Sequence, residues 1–132
     1  LPADWNPVPE TDAQFALAAR LAVEAGVTAV NRHAGRLRYL YGPTGRQTIA
    51  EGKDLTQIQY LVGTGGALTR LPDREKIFGK IASCNMRGDM LFPKPGKVKL
   101  LYDDDYIMAS LGVLSKGHPE AALRLMKKSL SL

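Results

Sequence analysis

The run Tyr60-Leu61-Val62 ends directly on Gly63-Thr64-Gly65-Gly66, and this junction constrains the fold more than any other stretch of the chain. Consecutive apolar residues lack the alternation of a strand with one wet face. They suit a strand covered on both sides, as at the centre of an α/β sheet. Glycines placed straight after it let the backbone turn tightly or approach a bound group closely. Ala67 to Leu71 then reads as a short helical start halted by Pro72, so the local order is strand (about Gln59 to Val62), glycine loop, helix.

The flanking sequence supplies the rest of an α/β (or α+β) domain. Thr11 with Gln14 has the capping-box pattern, which starts a helix. Phe15, Ala18, Ala19, Ala22, Gly26, Ala29, Val30 and His33 form its packing face, with His33 a buried or boundary imidazole, and Gly35 is its stop. Leu37, Tyr39 and Tyr41 then alternate with Arg36, Arg38 and Leu40 as in a half-buried strand, and Gly42-Pro43-Thr44-Gly45 turns it back into Arg46 to Ala50. The arginines make a solvent-facing edge.

Asp73 caps a helix running to about Ala82, "SCNMRGDMLFPKPGK" is an irregular connection, and "KVKLL" is a short strand. Asp103, Asp104 and Asp105 precede a helix from about Asp104 to Leu114, where they favour its positive end rather than converge on a metal. Ser115-Lys116-Gly117 breaks the chain before a last helix, Pro119 to Ser129. The expected architecture is a small, mostly buried sheet with a β-hairpin and about five helices.

With 132 residues, 45% of them hydrophobic, the chain can bury roughly two-thirds of its unfolded surface as one domain. The opening, residues 1–10, starts at Leu1 without a methionine and is dotted with prolines; it reads as a leader or linker and as an excised piece of a longer polypeptide, a start that tag removal or processing would also give, and residues 11–132 form the domain. No run approaches ~18 uninterrupted apolar residues and no secretion leader is seen, so a cytoplasmic protein without a membrane segment is expected. Cys84 is the single cysteine, a small buried or boundary residue, and His33 and His118 stand apart, so no metal site is nominated. The net charge of +5 is spread over Lys53, Arg70, Lys76, Lys94 and Lys127 among acids, without aromatic interleaving, which argues against nucleic acid and leaves room for a phosphate ligand.

The glycines match neither familiar phosphate fingerprint. A phosphate-loop ATPase needs Gly-Lys-Ser/Thr where Gly66 is followed by Ala67-Leu68, and the dinucleotide pattern needs a third glycine where Leu68 stands. Gly63, Thr64, Gly65 and Gly66 are left as nucleotide contacts or as a purely structural turn. No catalytic residue stands out.

"VGTGGALTRLP" resembles the adenosine motif of the actin-like ATPase superfamily, in which paired glycines follow a buried strand. The heat-shock ATPases carry Gly-Gly-Ser-Thr-Arg-Ile-Pro there. One more residue separates the glycines from Thr69-Arg70-Leu71-Pro72 here, so their serine and arginine contacts are not transferred. Two longer segments, "AVNRHAGRLRYLYGPTGRQTIAEGKDLTQIQYLVGTGGALTRL" and "LLYDDDYIMASLGVLSKGHPEAALRLMKKSL", resemble the carboxyl-terminal part of the glutamate mutase-associated MutL (GlmL) family, which is unrelated to the mismatch-repair protein of the same short name.

That resemblance implies a much longer, two-lobed actin-like (ribonuclease H-like) ATPase of which this chain is part of the second lobe. Such a protein is a chaperone-like reactivating factor for an adenosylcobalamin-dependent mutase or aminomutase, such as glutamate mutase or ornithine aminomutase. ATP or ADP with magnesium would be bound by the full-length protein, with Gly63 to Gly66 on the adenosine side and the amino-terminal lobe as partner; cobalamin would belong to the mutase. This piece alone would be inactive as an ATPase. Two alternatives stand beside it: a kinase-like member of the same superfamily, and a noncatalytic α/β interaction domain.

Overall fold

The computed structural model describes residues 8–132, so most of the expected leader lies outside the described residues. The capping box at Thr11 is complete: its hydroxyl accepts from the Gln14 N–H at 3.3 Å, and the Gln14 side chain accepts from the Thr11 N–H at 3.0 Å. Such a cap is worth about 1 kcal/mol. Helix α1 follows, Asp12–His33. Phe15, Ala18, Ala19, Ala22, Val23, Val27 and Val30 pack against Leu71, Ile77, Phe78 and Ile81. A Cβ on Gly26 would stand 2.3 Å from Ile81 Cδ1, so the missing side chain admits the isoleucine.

The stripe on α1 ends at Val30, and the chain turns inward at buried Ala34; Ala29 and His33 are exposed, contrary to the expected face. By length and composition α1, 22 residues long with an 18-residue stretch of mean hydropathy 1.3, would reach across a bilayer. Its packing on α3 and the exposed Arg20–Glu24 pair at 2.8 Å fit an ordinary core-lining helix as well.

Strands β1 (Arg36–Gly42) and β2 (Gly45–Glu51) form the hairpin, in register from Arg36 opposite Glu51 to Gly42 opposite Gly45. Gly45, at φ +100°, closes the two-residue Pro43-Thr44 turn. The expected half-burial is not found: Leu37 alone is half-buried, and every other residue of both strands is exposed. The alternation is used across the hairpin instead. Arg46 lies 4.5 Å over the Tyr39 ring, and Arg38 pairs with Glu51 at 2.6 Å.

The base of the ribbon is pinched where a Cβ on Gly35 would meet the Glu51 carbonyl at 2.6 Å. Backbone bonds from Leu37 to Asp89 and from Leu91 to Gly35 fasten it to the body.

The second sheet is parallel. Strand β3 (Tyr60–Gly63) pairs with β4 (Lys99–Tyr102), Tyr60 opposite Lys99 and Gly63 opposite Tyr102. Helices α2 (Gly66–Thr69) and α3 (Arg74–Ala82) lie between them in sequence. Leu61, Leu100 and Tyr102 face the α1–α3 core. β3 is less covered than a central strand should be: Tyr60 is 48% exposed, Leu61 and Val62 are half-buried, and only Gly63 is buried. The reason is the width of the sheet, since among the described residues neither strand has a second neighbour. The sheet is therefore not mostly buried, although the mixed α/β class and the five helices among the described residues are as expected.

Residues 83–98 form no regular element apart from a bridge at Met90, yet Met90, Leu91 and Phe92 are buried. Asn85 organises them, donating to the Met90 and Phe92 carbonyls and accepting from the Met90 N–H. Cys84 is half-buried beside this cluster, and burial pushes its thiol pKa up. Helix α4 begins at Met108 rather than Asp104, because Tyr106 sits at φ +58° and holds the preceding residues in a turn. Helix α5 is Pro119–Ser129, as the sequence reading has it.

Candidate functional site

Because β3 and β4 run parallel, their exits lie side by side, bringing Gly63-Thr64-Gly65-Gly66 next to Asp103-Asp104-Asp105. The four loop residues are not equivalent. Gly63 is buried against the Phe78 ring, where a Cβ would stand 3.1 Å from Cε1, and its carbonyl accepts from the Asp103 N–H at 2.9 Å. It serves packing. Thr64 and Gly66 are exposed, and Gly65 is half-buried at φ +89°, a conformation that a side chain strains. A Cβ on Gly65 or on Gly66 would meet nothing within 4 Å.

The loop is held by its own carbonyls and by a buried acid. The Gly65 carbonyl accepts from the Leu68 and Thr69 N–H groups and from the Thr69 hydroxyl, each at 3.0 Å. Asp103, 2% exposed, accepts from the Thr64 hydroxyl at 3.0 Å and from the Ile107 and Met108 N–H groups at 3.1 Å each. A buried carboxylate is tolerable only with such partners.

Capping, as expected of the aspartates, is thus the work of Asp103 alone. Asp104 pairs with Arg74, which also donates to the Thr69 carbonyl at 3.1 Å and lies 4.7 Å over the Tyr102 ring. Tyr102 meets Phe78 edge to face at 5.5 Å, and burial raises its phenol pKa. Asp105 is exposed. Among the described residues no three His, Cys, Asp or Glu side chains are placed to hold a metal ion.

A groove of about 460 Å³ opens beside the loop, lined by Gly66, Ala67 and Arg70 together with the apolar Phe15, Ala18 and Leu71. That is within the usual volume of a small-molecule site. The sequence nominates the glycines but misses Asp103 as their anchor, for the Thr64–Asp103 bond spans 39 positions. The only available signal is indirect: two parallel strands must end on the same side.

The fold and this corner define an α/β protein with a braced, solvent-facing glycine loop at the carboxyl ends of a parallel strand pair, where open α/β sheets commonly take ligands. The family described as MutL protein matches residues 1–130, and the chain belongs to that family, as the sequence resemblance implies. Protein MutL of Clostridium tetanomorphum is 33% identical over 123 residues, which cover 93% of this chain and 26% of that protein. The chain therefore spans about a quarter of its relative's length. No solved structure matches it.

Proposed function

We propose that this chain is part of the nucleotide-binding lobe of an ATP-dependent reactivating factor for an adenosylcobalamin-dependent mutase or aminomutase, of the glutamate mutase or ornithine aminomutase kind. The observation that carries the reading is the exposed Thr64–Gly66 turn at the end of β3 in a chain of the MutL family. Thr64, Gly65 and Gly66 line the adenosine side of an actin-like cleft, and Gly63 holds them from behind against Phe78. The groups that hold magnesium and position the attacking water come from the amino-terminal lobe, in the cytoplasm, and this piece alone turns over no ATP. Cobalamin stays with the mutase.

ATP binding and hydrolysis by the complete protein would supply the free energy for switching between two conformations of the factor. The two conformations of the complete factor bind the mutase differently, because a partner held equally by both states shifts nothing, while this chain holds the glycine loop and offers surface to partners.

The test is a titration of the full-length protein with magnesium ATP, comparing wild type with Gly66→Val. Gly66 has open space above it and no positive φ, so valine should fold there and obstruct a ligand. Affinity should fall about tenfold or more, a difference of ~1.4 kcal/mol, with the melting temperature kept. Unchanged affinity would reduce the loop to a turn. No saturable shift at the Gly63 to Ala67 amides would favour the noncatalytic interaction domain.

A further inference from the structure

Asp103 has a consequence for what Thr64 can recognise. Both of its carboxylate oxygens accept hydrogen bonds, Oδ1 from the Ile107 N–H and Oδ2 from the Met108 N–H and from Thr64. The proton between Thr64 and Asp103 therefore belongs to the threonine. A hydroxyl that has given its one proton away can only accept through its lone pairs. Thr64 is exposed, so a ligand can reach it, while Asp103 is buried and fixed by the start of α4.

The geometry points to Thr64 as a specificity residue that reads a hydrogen-bond donor on the nucleoside, a ribose hydroxyl or the base amino group, and is closed to a phosphate oxygen. This rests on the nucleotide reading above. Asp103 is its positioning residue: by taking the proton it sets the polarity of the contact, and a ligand donor polarises the hydroxyl further, so that the two bonds reinforce each other. Asp104 and Asp105 do not share this role, the first being paired with Arg74 and the second facing solvent.

The experiment measures affinities of the full-length protein for ATP, 2′-deoxy-ATP, 3′-deoxy-ATP and purine riboside triphosphate, which lacks the amino group, in wild type, Thr64→Val and Thr64→Ser. One of the three analogues should bind about five- to tenfold more weakly than ATP to wild type, and its identity names the donor. That penalty should vanish in Thr64→Val, which binds ATP itself more weakly by the same factor, and return in Thr64→Ser. Melting temperatures identify any variant that fails to fold, and Thr64→Ser retains the hydroxyl if valine proves disruptive.

Analogue penalties that are the same in wild type and Thr64→Val overturn the inference and leave the nucleotide reading standing. Loss of binding to inorganic triphosphate in Thr64→Val would overturn it too, by assigning the hydroxyl to phosphate. Absence of saturable binding by any of the nucleotides defeats the nucleotide reading and this inference together.

Discussion

The described residues form two sheets of two strands each, and they are built on opposite terms. β1 and β2 are joined by the two-residue Pro43-Thr44 turn and meet almost no other packing, whereas β3 and β4 are brought together across α2, α3 and the irregular 83–98 segment. The first is closed by local geometry, which costs little loop entropy. The second must be held by what packs on it, namely Leu61, Leu100 and Tyr102 against the α1–α3 core. The candidate site lies on the second, where distant segments end side by side.

Phe78 is the sharpest place to break this contrast, since its ring touches both Gly63 and Tyr102. Phe78→Ala should cost about 4 kcal/mol in urea unfolding followed by circular dichroism. In hydrogen exchange the substitution should lower the protection of the β3–β4 amides while leaving that of the β1–β2 amides unchanged; an equal loss in both would mean that the two sheets are one cooperative unit. Gly65→Val comes next, at about 2 kcal/mol for forcing a branched residue into a left-handed conformation. Equal stabilities of Gly65→Val and Gly66→Val would show that the positive φ at Gly65 imposes no strain on a side chain.

Alkaline titration gives a smaller effect. Burial raises the Cys84 thiol above its ordinary 9.0 and the Tyr102 phenol above its ordinary 10.0. Each group is therefore easier to ionise in the unfolded chain. Their stabilising contributions are whole below those ordinary values and are lost as the pH rises through the folded ones. Midpoints of urea unfolding should fall from about pH 9 upward, and Cys84→Ala should flatten the first part of that fall. Smallest of all, Tyr41→Ser at a side chain that is 79% exposed should move stability by less than about 0.5 kcal/mol. A larger loss there would show that the ribbon packs against something in solution.

The same division explains what the sequence revealed. Signals contained within a few residues were legible: the Thr11–Gln14 capping box, the Gly42 to Gly45 turn and the start of α5 at Pro119. Burial was not. The alternation of Leu37, Tyr39 and Tyr41 gives the strand but not whether any layer covers it, and the apolar run at Tyr60 gives β3 but not the number of its neighbours. Asp73 stands at the start of α3, yet its carboxylate pairs with Lys76 at 2.8 Å instead of capping. α4 starts late because of one positive φ at Tyr106, which no local motif announces. The glycine loop was legible as a loop, while its anchor, Asp103, follows only from the parallel pairing.

The pinch at Gly35 and Gly52 means that the ribbon leaves and rejoins the body at a single point. Whatever is inserted between Pro43 and Thr44 sits at the tip of two exposed seven-residue strands, so a fluorophore or short affinity tag can be grafted there with little disturbance to the packed body.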